Sequence, residues 1–420
     1  MVDSSWIEWT ACAVAWVAVL VPGGNKRRGP LLGLVALGGA WIFGTATWLL
    51  FPAVSGILAL LLLAGSTRVW RWGGMVLALG GLSLSVFLCW LFPLPESPVL
   101  SGPFATGSLV FELVAEGAAP PLVVQVWYPA RKNEQAPRLK WLPDPALAPH
   151  LPFHRIGWAL ARSQTELPPV DDPAKFPVIF YEHSWTGHRA ENVAQMEDLA
   201  SRGFVVVAVD HPGQATRVLY RNGEVIVGKL TPPDLTNDSG VANFEALADK
   251  CLQERTEHLE RVRRALASGA VPTLKGRLNL DRMGVFGFSF GGTSALRLCA
   301  LDPAFHAGAN EDGLFLGDGM PRGPFLFFDE EMPTWLLKDA QPGEGAGEAQ
   351  TRASETRIQK AMTGKNRQRV IMDGTGHEAF SDRIFTCRIP RLARVGMRPA
   401  AEVHRIVTRR LGDFFKRYLS

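Results

Sequence analysis

The chain has 420 residues and a formal net charge of +4 at pH 7, long enough for two or three domains with a large core. Residues 1–95 carry seven charged side chains, whereas the remaining 325 residues carry 39 basic and 38 acidic ones. Neither region has the basic face that nucleic-acid binding requires, so no nucleic-acid partner is expected. The composition divides the chain into a membrane-like region, 1–95, and a region of soluble-domain composition, 96–420.

Four apolar runs in residues 1–95 predict a bundle of about four transmembrane helices. A span needs roughly 20 apolar residues, so the second and fourth runs are adequate alone and the first and third are short. Eight of the 13 tryptophans lie in this region, several near the ends of the runs, as in an aromatic belt. Because the runs hold few polar residues, anchoring in a lipid bilayer is their simplest role. The runs are 6–21, 31–50, 51–64 and 75–92.

The basic residues of this region predict its orientation. They cluster in two short loops, 25–28 and 68–71, which the positive-inside rule places in the cytoplasm. With four spans, the N-terminus and everything after Pro95 then face outward. No positive residue precedes the first apolar run, so a cleaved signal peptide is not expected.

The first part of region 96–420 predicts an antiparallel strand pair and then an irregular segment. The pair is 109–114 with 122–128, joined by a turn around 117–121. Residues 137–177 hold nine prolines among bulky apolar residues and are expected to be too irregular for a sheet. They are interpreted as a lid, a membrane-resting loop or a long surface crossing.

The rest of the chain alternates strands with helices, which predicts a doubly wound, mostly parallel α/β sheet. The near-continuous apolar runs are typical of interior parallel strands, and the active site is expected at the carboxyl ends of the strands. The predicted strands are 177–182, 204–209, 282–286, 307–310, 324–328 and 368–372. The predicted helices are 192–202, 244–268, 293–301 and 400–419, with a flexible loop at 341–350.

Ser289 stands in Gly287-Phe288-Ser289-Phe290-Gly291, where a predicted strand becomes a predicted helix. This fits the G-x-S-x-G pattern of a nucleophile elbow, which exposes the serine hydroxyl at a sharp turn. A glycine-rich turn with a helix-capping serine is the alternative.

His377 is the predicted general base for Ser289. In α/β-hydrolases the chain order is serine, acid, histidine, and three histidines follow Ser289. His306 precedes a predicted strand and His404 lies within the last helix, whereas His377 lies in a glycine-rich loop directly after the last strand.

Two carboxylates, Asp312 and Asp329, compete as the acid that orients His377. Each follows a predicted strand, so the pattern alone does not choose between them. For the oxyanion hole, the predicted donors are the backbone N–H groups of Trp185, in the loop after strand 177–182, and of Phe290.

A metal site is weakly supported, and no cofactor is expected. His183, His188 and His211 lie near strand ends, where histidines usually form local hydrogen bonds, and there is no HExxH motif. Cys251, Cys299 and Cys387 have no metal-like spacing, and the sequence does not decide whether two of them form a disulfide.

Several motifs together resemble the platelet-activating factor acetylhydrolase type II family, in particular bacterial members with an N-terminal membrane segment. The resemblance covers nearly all of residues 100–420. It implies an α/β-hydrolase fold, Ca²⁺-independent hydrolysis of short-chain or oxidised acyl esters, including at lipid surfaces, and Asp312 as the acid. The motifs are 124–129, His183-Ser184-Trp185, 198–204, 209–211, 287–292, 310–312 and Gly376-His377.

This chain departs from the family pattern at two positions. Phe288 stands where the family commonly has histidine, which is expected to change packing only. Ser184 stands where a glycine usually follows His183, which is expected to affect the rate and the substrate range more than the reaction type.

The leading hypothesis is a multi-pass protein of the bacterial inner membrane whose catalytic domain is periplasmic or extracytoplasmic. It would hydrolyse acyl esters, including phospholipid-like ones, through Ser289, His377 and Asp312. A serine peptidase or amidase on the same fold, and a catalytically silent membrane sensor or scaffold, are the alternatives.

Overall fold

The structure is a computed structural model, and its described residues divide into two compact units. The helical unit comprises Met1–Glu96, Ala148–Ala159 and Phe385–Ile389, and the sheet unit comprises Ser97–Leu147, Leu160–Ile384 and Pro390–Ser420. The residues described are 4–20, 28–43, 49–64, 66–117, 119–149, 152–165, 167–171, 175–331 and 345–420.

The helical unit contains α1 (Ser4–Leu20), α2 (Arg28–Phe43), α3 (Phe51–Leu63) and α4 (Arg68–Leu91). Among the described residues, α4 alone is long and apolar enough to cross a bilayer, with 24 residues that include an 18-residue window of mean hydropathy 2.0. The other three have 17, 16 and 13 residues. Four full spans are therefore not supported by helix length, although residue 21 of the first predicted run and residues 44–48 of the second lie outside the described residues.

Glycines set the contact between α3 and α4. A Cβ at Gly81 would overlap the carbonyl oxygen of Pro52, and one at Gly56 would overlap that of Leu77. Beside them the Ser85 hydroxyl accepts a hydrogen bond from the Ala53 N–H at 3.0 Å. Large apolar side chains of α4 are instead exposed: Val69, Trp70, Trp72, Val76, Leu84, Phe87 and Trp90. Small residues inside and large apolar residues outside are typical of helices packed in lipid.

The sheet unit is built on one mixed sheet. Within the described residues it has the strand order β12-β11-β10-β9-β5-β6-β2-β1-β4-β3, and β7 and β8 form a separate hairpin. The strands are β1 Ala105–Leu113, β2 Leu122–Ala130, β3 Arg138–Lys140, β4 Leu160–Thr165, β5 Phe176–Glu182, β6 Val205–Asp210, β7 Arg217–Leu219, β8 Val225–Val227, β9 Leu278–Phe288, β10 Phe305–Glu311, β11 Phe325–Glu330 and β12 Arg367–Met372.

The six strands from β6 to β12 along this order are parallel, and β2 and β1 continue the sheet antiparallel. Every residue of β6 is buried, as expected for a strand covered on both faces. The predicted mostly parallel α/β sheet is confirmed. The helices of this unit are α5 Val193–Ser201, α6 Asp238–Ser268, α7 Phe290–Leu301, α8 Ala346–Met362 and α9 Ala400–Leu419.

Two local expectations were wrong. The segment 137–177 is not too irregular for the sheet, because β3 and β4 extend its edge and β4 pairs parallel with β1. The predicted loop 341–350 is helical from Ala346, where α8 begins; residues 341–344 lie outside the described residues. The Gly345 N–H donates to the Glu348 carboxylate at 3.2 Å, which satisfies one of the unpaired donors at the start of that helix.

Candidate active site

Ser289 occupies a strained turn between β9 and α7. Its backbone has φ 55° and ψ −122°, in a region that residues with a Cβ rarely adopt. The two flanking glycines are required by close approach, because a Cβ at Gly287 would overlap the backbone of Gly291, and one at Gly291 would overlap the carbonyl of Glu182. The Ser289 N–H donates to the Glu311 carbonyl at 2.8 Å, which fixes the turn to the next strand.

His377 lies between Ser289 and Asp312. Its Nε2 is 3.0 Å from the Ser289 Oγ, and its Nδ1 is 2.5 Å from the Asp312 Oδ2. A carboxylate accepts hydrogen bonds, so Nδ1 carries the proton and the Nε2 lone pair faces the hydroxyl. The three side chains come from the loops after β12, β9 and β10, which all end at the carboxyl edge of the sheet.

The two candidate acids are in different environments. Asp312, with φ 57°, uses its second oxygen to accept a hydrogen bond from the Glu330 N–H at 2.9 Å. Asp329 lies within β11 and accepts from the Arg369 Nε at 2.7 Å. Burial raises the pKa of Asp329 to about 6 although Arg369 opposes the shift. The structure brings Asp312, and not Asp329, to His377.

Two opposed effects determine the pKa of His377. Burial lowers it, but the hydrogen bond and the negative charge of Asp312 outweigh burial and raise the pKa above 6.5. Glu378 and Glu330 act in the same direction. This surrounding negative charge therefore stabilises the protonated form of His377.

The two predicted oxyanion donors are adjacent. The rings of Trp185 and Phe290 contact edge to face with centroids 4.7 Å apart, and both residues line the same cavity as Ser289 and His377. In the part of the chain that the structure describes, neither backbone N–H donates to a protein acceptor. Phe290 is the first residue of α7, where N–H groups are unpaired and the helix dipole favours negative charge.

The two departures noted in the sequence have local explanations. The Ser184 N–H and hydroxyl both donate to the Glu191 carboxylate, at 2.8 and 2.6 Å, so the side chain in place of glycine adds an anchor to this loop. Burial raises the pKa of Glu191 to about 7, although the hydrogen bonds from Ser184 lower it. The buried Phe288 ring lies 4.8 Å from the His377 ring and packs against it.

A cavity of about 550 Å³ opens beside Ser289, within the usual size range of small-molecule sites. Its wall is largely apolar, and among the described residues that line it the charged ones are carboxylates, with no lysine or arginine. The apolar side chains are those of Trp185, Pro233, Leu235, Phe244, Phe290, Leu314 and Ile358. The carboxylates are those of Asp312, Asp329, Glu330 and Glu355.

The three histidines considered as metal ligands are held in other roles. His211 Nε2 lies 3.1 Å from the buried Glu182 carboxylate, and its Nδ1 lies 3.0 Å from His258. Burial lowers the pKa of His188 to about 3 and those of His183 and His211 well below 6.5, so all three are neutral. Within the described residues, no group of three or more potential ligands is arranged to hold a metal ion.

Comparison with known proteins shows similarity to esterases and acetylhydrolases. The sequence model of the family "Platelet-activating factor acetylhydrolase, isoform II" matches residues 93–224. The platelet-activating factor acetylhydrolase of Canis lupus familiaris is 22% identical over 321 residues, which cover 69% of each chain. The solved structure of a ferulic acid esterase from Streptomyces cinnamoneus matches with a TM-score of 0.59 and 21% identity, covering 78% of this chain and 94% of that one.

These matches cover different parts of the chain and support different conclusions. The structural match shows that the sheet and its helices share the fold of that esterase. The family match ends at residue 224, before the elbow, and so includes the loop of Trp185 but none of Ser289, Asp312 and His377. The roles of those three residues depend on the geometry of this chain.

Proposed function

We propose that this protein is a carboxylic ester hydrolase that acts through an acyl-enzyme on Ser289. The observation that carries the proposal is the continuous hydrogen-bonded series Ser289–His377–Asp312, which ends at the cavity. Beside it lie the backbone N–H groups of Trp185 and Phe290, neither of which donates to an acceptor among the described residues. Similarity to acetylhydrolases supports an ester as the substrate.

The mechanism follows from the positions of these groups. The Ser289 Oγ attacks the ester carbonyl carbon while its proton moves to the His377 Nε2. The carbonyl oxygen becomes an oxyanion, which the N–H groups of Trp185 and Phe290 stabilise. Collapse of the intermediate breaks the ester C–O bond, and His377 gives its proton to the leaving alkoxide. Water then attacks the acyl-enzyme by the same route and releases the acid and Ser289.

Short-chain acyl esters are the proposed substrates, with phospholipid-like esters as the natural class, because the chain is similar to acetylhydrolases. The cavity has room for an acyl group and part of the alcohol, and its apolar residues stabilise uncharged chains. Its carboxylates disfavour a substrate that carries a negative charge into the cavity. Among oxidised acyl groups, those without a terminal carboxylate are therefore favoured.

A series of p-nitrophenyl esters tests this function. We expect kcat/KM to be highest for short acyl chains, to be lost in Ser289→Ala, and to be higher for butanoate than for the hemisuccinate of equal length. Greater activity on matched anilides would favour a peptidase or amidase. A folded protein inactive on both would favour a silent sensor or scaffold.

We further propose that the helical unit anchors the protein in the bacterial inner membrane. The length of α4, the glycine contact between α3 and α4, and the exposed apolar side chains support this. Arg68 and Arg71 at the start of α4 favour a cytoplasmic start for this helix, which would place the catalytic domain after α4 in the periplasm. Protease added to spheroplasts is then expected to digest that domain without lysis, whereas digestion only after lysis would contradict the orientation.

A further inference from the structure

A buried arginine of α6, which the proposed mechanism does not use, contacts both sides of the proposed oxyanion hole. Arg255 is fully buried. Its Nη1 donates to the His183 carbonyl at 2.7 Å and its Nη2 to the Ser184 carbonyl at 3.2 Å. Its guanidinium carbon lies 4.8 Å above the ring centre of Phe290. One rigid group therefore touches the loop that carries one oxyanion donor and the side chain of the residue that carries the other.

Two groups hold the Ser184 carbonyl and so fix the direction of the Trp185 N–H: the His183 Nδ1 at 2.8 Å and the Arg255 Nη2 at 3.2 Å. A trans peptide group is planar, so its N–H points opposite to its carbonyl. When Arg255 holds the Ser184 oxygen, the Trp185 N–H of the same peptide group is directed away from the guanidinium. Glu191 holds the N–H and hydroxyl of Ser184, so the peptide groups on both sides of this residue are fixed.

Arg255 is itself held by a polar network on neighbouring elements. Its Nε donates to the Gln214 Oε1 at 2.9 Å, and its Nη1 lies 3.5 Å from the Glu182 carboxylate. That carboxylate also accepts from the Ser294 hydroxyl, on α7, at 2.8 Å. An arginine with every donor group engaged is well suited to hold a loop, because its planar fork is already organised for two acceptors.

We infer that Arg255 is a positioning residue that directs the Trp185 N–H toward the oxyanion. This inference rests on the proposed function. Arg255 touches no reacting atom, and its effect is expected in the transition state more than in substrate binding.

The test compares the variant Arg255→Lys of the full-length protein with the matched control variant Arg261→Lys. Arg261 lies on the same helix, is buried, and donates to two carbonyls, of Pro120 and Val114, both at 2.9 Å. Lysine keeps the charge in both variants but cannot reproduce the two-pronged contact. We expect Arg255→Lys to lower kcat by about 10- to 100-fold with KM nearly unchanged, since misplacing a reacting group costs on the order of 10²-fold.

A second readout separates positioning from stability. A short alkylboronic acid forms a tetrahedral adduct on Ser289, and its inhibition constant is expected to rise in Arg255→Lys by about the factor by which kcat falls. Arg261→Lys should leave kcat and this constant unchanged even if its melting temperature falls. Wild-type kcat in folded Arg255→Lys, or equal loss of kcat in the two variants, would overturn the inference.

A double variant keeps the test usable if Arg255→Lys does not fold. Glu182→Gln with Arg255→Met removes both buried charges, so no unpaired charge remains, and Glu182→Gln alone is its control. The double variant is expected to lose kcat relative to that control, and equal kcat in the two would again overturn the inference. A wild-type protein that hydrolyses no ester would instead refute the proposed function.

Discussion

At the scale of single residues, the environments of Asp312 and Asp329 predict different consequences for the same substitution. Asp312→Asn should lower kcat by roughly 10⁴-fold, because the amide no longer fixes the His377 tautomer. Asp329→Asn loses its ion pair with Arg369, whose remaining partner Glu355 lies 2.7 Å away, so it should affect stability more than kcat. Ester hydrolysis at pH 7 measures both. An inactive Asp329→Asn variant together with an active Asp312→Asn variant would show that Asp329, and not Asp312, is the acid that orients His377.

The pH profile gives a control for this pair of variants. The general base must be neutral, and Asp312 raises the pKa of His377 above 6.5, so kcat/KM should fall as the pH drops through a value above 6.5. Asp329→Asn should leave this acid limb nearly in place. If kcat/KM of the wild type fell only at a pH well below 6.5, the environment described for His377 would be contradicted.

Sequence patterns find residues whose role depends on neighbours in the chain. Ser289 and His377 stand in glycine-rich motifs at strand ends, which short-range spacing identifies. The choice between Asp312 and Asp329 depended on resemblance to a family, because both follow predicted strands. Arg255 lies in the middle of a long helix, and nothing in its local sequence indicates that it reaches the carbonyl of Ser184, 71 residues earlier.

At the scale of elements, the glycines of α4 predict a matched pair of outcomes. Gly81→Ala places a Cβ against the Pro52 carbonyl, whereas a Cβ at the adjacent Gly80 meets nothing within 4 Å. Gly81→Ala should destabilise the packing of α3 on α4 by about 1–3 kcal/mol through overpacking. Gly80→Ala should be neutral or slightly stabilising, because alanine favours helix.

Thermal unfolding in detergent micelles measures this difference. Tryptophan fluorescence is a suitable probe because eight of the 13 tryptophans lie in residues 1–95. Equal midpoints for the two variants would indicate that α3 and α4 do not form the close contact described.

The strands of the parallel sheet were predicted to within a few residues, most clearly β5 and β6, which are near-continuous apolar runs. The strand β4 has six residues, as many as β6, but it is mostly polar, and it depends on contacts that the local pattern does not contain. It pairs with the edge of β1, and the Arg162 N–H within it donates to Glu197 on α5 at 3.0 Å. The start of α8 was missed although its alanines and glutamates favour helix, because the neighbouring glycines suggested a loop.

At the scale of the whole molecule, composition predicted two kinds of region and the contacts divide the chain into two units. The division is not a single cut, because Ala148–Ala159 and Phe385–Ile389 belong to the helical unit. Within that unit the Arg155 guanidinium donates to the carbonyl of Phe92 at 2.7 Å. Composition and periodicity do not indicate that segments distant in the sequence pack in the same unit.

The central claim is that Ser289 is a nucleophile activated by His377, and labelling with a fluorophosphonate probe followed by peptide mass spectrometry tests it most directly. We predict one adduct, located on Ser289, absent from Ser289→Ala and formed much more slowly in His377→Ala. Ser184→Ala, which changes the neighbouring loop serine, should still be labelled at Ser289. A folded wild-type protein that forms no adduct, or forms it at another residue, would contradict the claim.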